Sequence, residues 1–342
     1  MNFLEKIYYS GLLLKKKYAS ANMKRLPCRV ISIGNLTVGG TGKTPATIAV
    51  AEEALRRGYF PIVLTRGYRG KAHGPCFITK GEGPLLAVEE AGDEAYLMAS
   101  ITRGVPVVKS TSRYDGGVFA INNLREMVPD FMSRAIFILD DGFQHIQLFR
   151  DWDLVLIDSE APFGNDKLLP VGRLREPVES LGRADVIVIT KGGTLPGDKG
   201  LVIEQIIKTI RENNTKAPLF IAGHLPVSCF TKHGKEMPVS QISGKRVFGF
   251  CGIGSPDSFR KTLQNAGGVV VGLRHFADHH RYTKPNVVAI RNEAIRLGSE
   301  WIVTTEKDII KLRDIDLPEN ILIIRIKFSV DAAFYDSVFN AG

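Results

Sequence analysis

Residues 31–45 read ISIGNLTVGGTGKTP, an apolar run followed by a glycine-rich turn that ends in Gly-Lys-Thr. The glycines carry no Cβ, so backbone N–H groups can converge there on phosphate oxygens. Lys43 can reach the β- and γ-phosphates, Thr44 can ligate Mg²⁺, and the helix that follows contributes its N-terminal dipole. The sequence therefore predicts that the chain binds a nucleoside triphosphate.

The turn fits a compact form of the phosphate-binding loop. The strict G-x-x-x-x-G-K-[ST] pattern fails because Thr37 stands where its first glycine would be, whereas G-G-x-G-K-[ST] fits residues 39–44. An ordinary glycine-rich turn is the alternative, but the apolar run before it and the helix-compatible segment 46–57 favour the P-loop. The residues predicted to bind nucleotide are Thr37, Val38, Gly39, Gly40, Thr41, Gly42, Lys43 and Thr44.

Composition indicates an α/β enzyme with one basic end. A chain of 342 residues can bury a sizeable core and is expected to form two domains. Its 4 cysteines include no C-x-x-C pair, which favours a reducing compartment over a disulfide framework or a structural zinc site. The net charge is +9, and residues 1–30, with seven basic side chains and one acidic, carry +6 of it.

The basic end is predicted to be an amphipathic helix within residues 1–28. A lysine run at 15–17 follows apolar side chains at near-helical spacing, namely Phe3, Leu4, Ile7, Tyr8, Leu14 and Tyr18. Such a helix can lie in the interface of an anionic bilayer, and charge interrupts it too often for a membrane span. A helix docked on the domain's own core is the alternative. Nucleic acid is not favoured, because no basic surface with interleaved aromatic residues recurs downstream.

Two series of strand-like runs define the predicted domains. Short Val/Ile-rich runs separated by helix-length segments predict βα units with a parallel sheet, at 29–33, 61–65, 105–109, 135–140, 154–158 and 185–190. A second alternation has strands at 246–251, 268–273, 301–305 and 321–326. The predicted fold class is α/β, with a P-loop NTPase-type parallel sheet domain and a second, smaller α/β lobe. The predicted boundaries are 29–215 for the first domain, 216–243 for an interlobe connection, 244–328 for the smaller lobe and 329–342 for a C-terminal tail.

Two aspartates end one of these strands. Asp140 and Asp141 follow an apolar run, the Walker B arrangement that places a carboxylate near Mg²⁺ beside the P-loop. Adjacent side chains leaving a strand point to opposite faces, so the two need not share a role. A polar turn after a buried strand is the alternative.

Two further polar motifs leave their chemistry open. Asp93, in Gly92-Asp-Glu, opens a predicted helix, and taken alone an N-cap is its favoured interpretation. Residues 275–282 read HFADHHRY, which fits a metal site, a base with its orienting partner, or polar loop decoration equally well.

The end of one strand indicates which nucleotide is bound. P-loop GTPases read guanine with [NT]-K-x-D, in which the aspartate accepts hydrogen bonds from the base. Here Thr190-Lys191 is present, but Gly193 replaces the aspartate. ATP is therefore predicted rather than GTP.

Seven motifs occur in order along the chain: GNLTVGGTGKTP at 34–45, LTRGY at 64–68, GDE at 92–94, DDGFQH at 140–145, LLPVGRLREP at 168–177, FADHH at 276–280 and TTEKD at 304–308. They resemble the ordered motifs of tetraacyldisaccharide 4'-kinases, the lipid A 4'-kinases of Gram-negative bacteria, over nearly the whole chain. The resemblance implies ATP-dependent phosphorylation of the 4'-hydroxyl of a tetraacylated glucosamine disaccharide 1-phosphate at the cytoplasmic face of the inner membrane. It also implies a P-loop fold of two α/β lobes joined by a β-strand hinge.

The resemblance further implies residue roles. Asp93 and His279 are expected to act together on the acceptor hydroxyl, whose very high pKa requires a proton acceptor as the bond to phosphorus forms. We prefer His279 to His280 because it directly follows Asp278 in the motif. Around the phosphates, Mg²⁺ is expected at Thr44, Asp140, Asp141 and Glu176, and phosphate or substrate contacts at Arg66, Arg113, Gln144 and His145.

Two other classes of protein share parts of this pattern. A P-loop metallochaperone or other regulatory NTPase predicts metal-dependent partner binding and slow hydrolysis, and the absence of cysteine-containing metal clusters weighs against it. A membrane-bound ATP-sensing module needs no Asp93/His279 pair. Neither class needs an acceptor for the phosphoryl group. The resemblance to the lipid kinases instead implies a lipid disaccharide 1-phosphate substrate and an anionic membrane surface as partners, and no obligate protein partner is inferred.

Overall fold

The computed structural model describes residues 2–192 and 199–340, so the guanine-specificity argument at Gly193 lies outside the described residues. The chain divides into two compact units. The first comprises Met1–Gly223 and Phe328–Gly342, and the second comprises His224–Lys327. Each unit has its own sheet, which confirms the α/β fold class.

Within the described residues, the first unit has an eight-stranded sheet in the order β3-β4-β2-β5-β1-β6-β7-β8. It is parallel except for β3, which runs antiparallel to β4. The central strands are almost wholly buried runs of Val, Ile and Leu, as expected where helices cover both faces. The strands are β1 (Arg29–Asn35), β2 (Phe60–Thr65), β3 (Cys76–Thr79), β4 (Val107–Lys109), β5 (Ala135–Asp140), β6 (Trp152–Asp158), β7 (Val186–Thr190) and β8 (Leu219–Ile221).

The six strands predicted for this unit are confirmed to within a few residues. The sequence did not predict β3 or β8, which are short edge strands of four and three residues. The helices before and between the strands are α1 (Phe3–Ala21), α2 (Lys43–Arg56), α3 (Val88–Ala91), α4 (Asp93–Ile101), α5 (Arg113–Leu124), α6 (Phe131–Arg134) and α7 (Lys199–Asn213).

The register of the sheet brings the sequence motifs to one edge. Ile33 of β1 pairs with Asp140 of β5, and Leu64 of β2 pairs with Leu139. The carboxyl ends of these three neighbouring parallel strands therefore lie side by side. Ligands of open α/β sheets bind at such carboxyl ends. The P-loop that follows β1 begins at this edge.

The second unit has a six-stranded sheet in the order β10-β9-β14-β13-β11-β12, counted over the described residues. Its β11, β12, β13 and β14 pair in parallel, as predicted, and β10 is antiparallel to β9. The elements are β9 (Gly223–Thr231), β10 (Glu236–Pro238), β11 (Arg246–Cys251), α8 (Pro256–Asn265), β12 (Val269–His275), α9 (Lys284–Arg296), β13 (Trp301–Thr305), α10 (Glu306–Ile309) and β14 (Ile321–Ser329).

Two segments predicted to be irregular contain regular structure. Residues 216–243, interpreted as an interlobe connection, include β8, β9 and β10. Their prolines misled the prediction, because proline is tolerated in and beside edge strands, and β8 and β10 are edge strands. Residues 329–342, interpreted as a tail, include a final helix, α11 (Ala332–Phe339), whose Phe334, Val338 and Phe339 are buried.

Candidate active site

The P-loop links β1 to α2 in conformations that require glycine. Gly42 is the N-cap of α2 with φ 87°, and Gly39 has φ 124°, both in the range that L side chains avoid. A Cβ at Gly39 would lie 2.3 Å from the guanidinium of Arg173, whereas no atom lies within 4 Å of one at Gly40. Helix α2 begins at Lys43, three residues earlier than predicted, so the loop's last residues lie at its positive N-terminal end.

Hydrogen bonds fix this loop from both sides. Val38 N–H donates to the carbonyl of Arg173 at 2.8 Å, and the Arg173 guanidinium donates back to the Val38 carbonyl at 3.0 Å. The Thr190 hydroxyl at the end of β7 donates to the Thr41 carbonyl at 2.9 Å. The Asn35 amide donates to the Thr37 carbonyl at 2.7 Å. Hydrogen bonds therefore hold the carbonyls of Thr37, Val38 and Thr41 in this loop.

Lys43 connects the loop to the acidic strand end. Its ammonium lies 3.3 Å from Asn35 Oδ1 and 3.6 Å from Asp141 Oδ1. Arg175 donates to both carboxylate oxygens of Asp141, at 2.9 and 2.8 Å. Although burial acts to raise the pKa of Asp141, Lys43 and Arg175 lower it, so this carboxylate stays ionised.

Asp140 has a different environment, as the sequence analysis expected of two adjacent strand-end residues. It is 3% exposed, and its carboxylate accepts from the Thr65 hydroxyl at 3.1 Å and the Thr47 hydroxyl at 3.4 Å. Burial, together with the nearby charges of Glu94 and Asp141, raises the pKa of Asp140 to about 6. A bound cation stabilises the charged form of a buried carboxylate that lies beside like charges.

A divalent ion fits this donor set. Mg²⁺ takes oxygen ligands and is usually bound through one or two carboxylates, with waters and substrate phosphates completing its shell. Asp140 and the Thr44 hydroxyl at the start of α2 offer such oxygens. Among the described residues, no group of three or more His, Cys, Asp or Glu side chains is placed to hold a metal, so protein ligands alone do not form a closed site.

The remaining residues predicted to contact phosphate or substrate differ in their surroundings. Arg113 is 3% exposed and donates to the carbonyls of Ser110 at 2.8 Å and Asp140 at 3.4 Å. Burial lowers its pKa to about 10, so it remains charged at neutral pH. Burial and surrounding cations lower the pKa of His145 to about 4, which leaves its ring neutral. Gln144 donates to the Asn35 carbonyl at 2.9 Å, and Arg66 is exposed.

Glu176 is engaged by cations rather than open to a metal. Its side chain is fully buried and pairs with Lys16 at 2.5 Å and Arg183 at 2.9 Å. Although burial acts to raise its pKa, Arg183 and Lys16 lower it. The carboxylate is ionised, and the two cations already compensate its charge. These contacts do not support the expected contact of Glu176 with Mg²⁺.

Asp93 is the first residue of α4, and its N-cap is Gly92 with φ 89°. The interpretation of Asp93 as an N-cap is therefore wrong. A Cβ at Gly92 would lie 2.5 Å from the Tyr68 carbonyl, so the loop after β2 packs directly against the start of α4. Lys109 stabilises this packing by donating to the Glu90 carbonyl at 2.7 Å.

His279 belongs to the second unit, in the loop after β12, so Asp93 and His279 come from different units. Its backbone is left-handed, with φ 62°, and its Nε2 lies 3.7 Å from Asp278 Oδ2. His280 instead stacks on Phe276 with ring centroids 4.5 Å apart, and its Nε2 contacts Asn286 Oδ1 at 3.1 Å. These contacts favour His279 over His280 as the functional histidine.

Two residues that were given no role from the sequence act on the acidic end of β5. Glu94 acts electrostatically on Asp140, and Arg175 binds Asp141. Both lie inside motifs that had already been quoted, next to residues that were selected. The signal that could have identified them is that both side chains are charged and both lie in motifs that were already selected.

Comparisons with known proteins agree over the whole chain. Residues 3–341 match the sequence model of the family described as tetraacyldisaccharide-1-P 4'-kinase, or LpxK. A tetraacyldisaccharide 4'-kinase from Syntrophus aciditrophicus is 38% identical and one from Halothermothrix orenii is 34% identical, and each alignment covers 96% of this chain and 88% of the relative. The crystal structure of LpxK from Aquifex aeolicus in complex with ATP is similar, with a TM-score of 0.75 and 30% identity, over 98% of this chain and 96% of that one.

Proposed function

The chain belongs to the tetraacyldisaccharide-1-P 4'-kinase family, and from that premise we propose how its own residues divide the work of the reaction. The reaction is the ATP-dependent phosphorylation of the 4'-hydroxyl of a tetraacyldisaccharide in lipid A biosynthesis. One observation carries the proposal. Lys43, Asp140 and Asp141 lie together at the carboxyl ends of neighbouring parallel strands, where a P-loop ends.

The P-loop residues Thr37–Thr44 bind the ATP phosphates, and their N–H groups and Lys43 oppose the negative charge. Phosphoryl transfer spreads charge over the transferred oxygens, so catalysis depends mainly on positioning and on fixed positive groups. Arg66 and Arg113 supply further positive charge near the phosphates. Thr44 and Asp140 would hold Mg²⁺, which would supply further positive charge to the phosphates. Asp141 orients Lys43 and Arg175.

Asp93 and His279 act on the acceptor hydroxyl. A sugar hydroxyl is a weak acid, so its proton must be accepted as its oxygen attacks phosphorus. In this proposal Asp93, at the start of α4, accepts that proton, and the imidazole of His279 is the partner of the carboxylate. The left-handed backbone of His279 supports the assignment, because strain at a non-glycine residue is concentrated at functional sites.

Helix α1 attaches the enzyme to the anionic cytoplasmic face of the inner membrane of a Gram-negative bacterium, where its lipid disaccharide 1-phosphate substrate resides. The helix has two different faces. Glu5 and Ala19 are buried and Tyr8 is half-buried, whereas a second face exposes large apolar side chains, namely Phe3, Leu4, Ile7, Leu14 and Tyr18. One face thus packs on the protein, and the exposed apolar face supports the proposed contact with a bilayer surface. No helix among the described residues could cross a membrane.

The reaction is tested by ATP consumption with and without tetraacyldisaccharide 1-phosphate in detergent micelles. We expect turnover only with the lipid, ATP preferred to GTP, and loss of activity on chelation of Mg²⁺. Lys43→Ala should lower kcat/KM by about two orders of magnitude or more while the fold is retained. Equal ATP hydrolysis without lipid would favour the regulatory NTPase class instead.

Membrane attachment is tested by flotation with vesicles that contain anionic lipid. Lys15→Glu/Lys17→Glu should weaken binding by about 30-fold or more, because each basic group near such a surface contributes about 1 kcal/mol. Lys16 is left unchanged because it pairs with Glu176. The control reverses two exposed charges elsewhere in the first unit, Arg125→Glu/Lys208→Glu. Equal flotation of both variants would reject α1 as the membrane contact.

A further inference from the structure

Helix α1 contacts a segment of the chain that we call the strap, residues 167–176. The Glu5 carboxylate accepts from the Leu168 N–H at 2.9 Å, and the Tyr8 hydroxyl donates to the Arg175 carbonyl at 2.9 Å. Lys16 pairs with Glu176 at 2.5 Å. The three side chains lie on the inner face of α1, opposite its exposed apolar face. The helix therefore contacts the strap over about three of its turns.

The strap in turn contacts the P-loop and the acidic strand end. Thr37 forms an isolated antiparallel bridge with Leu174, and the Arg175 N–H donates to the Leu36 carbonyl at 2.7 Å. The Arg173 guanidinium holds the Val38 carbonyl, and the Arg175 guanidinium holds Asp141. The strap thus lies between α1 and the nucleotide site and contacts both through hydrogen bonds.

These contacts are expensive to lose. The Glu176 carboxylate is fully buried, and Lys16 supplies one of its two cationic partners. Removing one cationic partner leaves the charge of this buried carboxylate incompletely compensated, so the surrounding backbone must rearrange or admit water. The adjacent residue of the strap is Arg175, which orients Asp141 and thereby Lys43. A shift of Glu176 therefore reaches the phosphate-binding groups through one peptide unit.

We propose that Lys16 and Tyr8 of α1 are positioning residues for the nucleotide site, so that docking of the membrane helix and binding of ATP are thermodynamically coupled through the strap. The coupling is reciprocal, because a helix that stabilises the ATP-competent loop is itself stabilised by ATP. The proposal rests on the proposed nucleotide site. It adds that the membrane-facing element also sets the affinity for ATP.

The test uses the full chain in detergent without lipid substrate, with Mg·ATP binding measured by titration calorimetry. Lys16→Met should raise the Kd for ATP by about 5- to 20-fold, at the lower end of the usual range of coupling between sites. Tyr8→Phe, a milder change less prone to unfolding, should raise it by about 3-fold, the scale of one hydrogen bond. Lys16→Arg should restore most of the affinity, since it retains the charge that pairs with Glu176.

Matched controls exist in the same helix. Lys17→Met and Tyr9→Phe remove the same polar groups one position along, and in residues 2–192 and 199–340 neither the Lys17 ammonium nor the Tyr9 hydroxyl forms a hydrogen bond or ion pair with the strap, although the Tyr9 ring packs on the same apolar cluster as Tyr8. Both should keep the Kd within 2-fold of the wild type. Hydrogen exchange supplies the reciprocal readout, because ATP should slow exchange of α1 amides in the wild type and not in Lys16→Met. A general loss of stability would not remove this ATP dependence selectively.

The outcomes separate the two hypotheses. If the wild type fails to bind Mg·ATP, or if Lys43→Ala binds it normally, the proposed nucleotide site is wrong. If the wild type binds ATP and Lys43→Ala does not, but Lys16→Met and Tyr8→Phe match their controls, the coupling is rejected and the nucleotide site stands. Exchange of α1 that is insensitive to ATP in the wild type would also reject the coupling.

Discussion

Two buried aspartates, one in each unit, occupy similar places and have opposite surroundings. Asp140 ends β5 in the first unit, and Asp308 follows β13 in the second, within α10. Asp308 is fully buried, and it accepts from the Tyr282 hydroxyl at 3.0 Å, the Thr305 hydroxyl at 2.7 Å and the Gly252 N–H at 3.1 Å, while Lys311 pairs with it at 3.0 Å. Asp140 is equally buried, but two like charges act on it.

The difference supports a structural role for Asp308 and the proposed metal-binding role of Asp140. Asp308 is surrounded by donors and a cation, so its charge is compensated within the protein. Asp140 keeps a raised pKa because the protein leaves part of its charge uncompensated. Perturbed groups of this kind cluster at functional sites. The comparison therefore predicts that replacing Asp308 lowers the free energy of unfolding and that replacing Asp140 raises it. The same contrast between structural and functional side chains applies to the proposed catalytic pair and to the two adjacent histidines.

The largest effect is expected from the proposed catalytic pair, Asp93 of the first unit and His279 of the second. Asp93→Asn should lower kcat by roughly 10²- to 10⁴-fold, the range for a lost general base, and His279→Ala should do the same, with the Kd for ATP little changed. The double variant should be little worse than either single one, because residues that act as one unit are strongly non-additive. Steady-state kinetics and ATP titrations supply both measurements.

Two outcomes would contradict this prediction. Losses that multiply in the double variant would mean that the two side chains act independently. A raised Kd for ATP in Asp93→Asn would mean that Asp93 supports the nucleotide rather than the acceptor. Asn keeps the size of the side chain, so a structural role of Asp93 at the start of α4 would leave kcat within a few-fold of the wild type.

The next largest effect is on the stability of the second unit. Asp308→Ala should lower the free energy of unfolding by about 3–5 kcal/mol, because it leaves the buried Lys311 without its carboxylate partner. Urea unfolding of the full chain, followed by a probe in the second unit such as the fluorescence of Trp301, measures this loss. Arg291→Ala, at an exposed residue of α9 in the same unit, is the control and should change the free energy by less than about 0.5 kcal/mol.

Asp140→Asn should instead raise the free energy of unfolding when no ligand is bound. Because the folded protein raises the pKa of Asp140 from 3.8 to about 6, the stability it contributes is present below pH 4 and is lost as the pH rises through 6. At pH 8 this loss is on the order of 3 kcal/mol, so the Asn variant in EDTA should be more stable than the wild type by up to that amount. The gain should vanish near pH 4, while activity is lost at every pH.

Calorimetry of both proteins across this pH range decides the point. A wild type that is more stable than Asp140→Asn at pH 8 would make Asp140 a structural carboxylate like Asp308. The comparison between the two aspartates would then fail.

Features that depend on neighbouring residues were predicted more completely than features that depend on contacts between distant parts of the sequence. The P-loop, the acidic end of β5 and the alternation of strands and helices were predicted because each depends on neighbouring residues. The short edge strands β3, β8 and β10 were missed, since edge pairing tolerates proline and needs few residues. The partners of Glu176 could not be predicted, because Lys16 lies 160 residues away in the sequence and only the fold brings them together.

The smallest effect separates the two adjacent histidines. His280 stacks on Phe276, contacts the edge of Tyr282 at 4.9 Å between centroids and shares a hydrogen bond with Asn286, so it is part of a packed aromatic cluster. His280→Ala should therefore lower the free energy of unfolding by about 1–2 kcal/mol, the scale of lost aromatic contacts and one hydrogen bond, and lower kcat by less than about 10-fold at a temperature where the variant is folded. His279→Ala should show the reverse. We expect kcat to fall as above and stability to change less, since the role proposed for His279 is at the acceptor hydroxyl and not in that aromatic cluster. Thermal unfolding and kcat measured on the same preparations test both halves, and a large fall of kcat in His280→Ala with normal stability would transfer the catalytic role to His280.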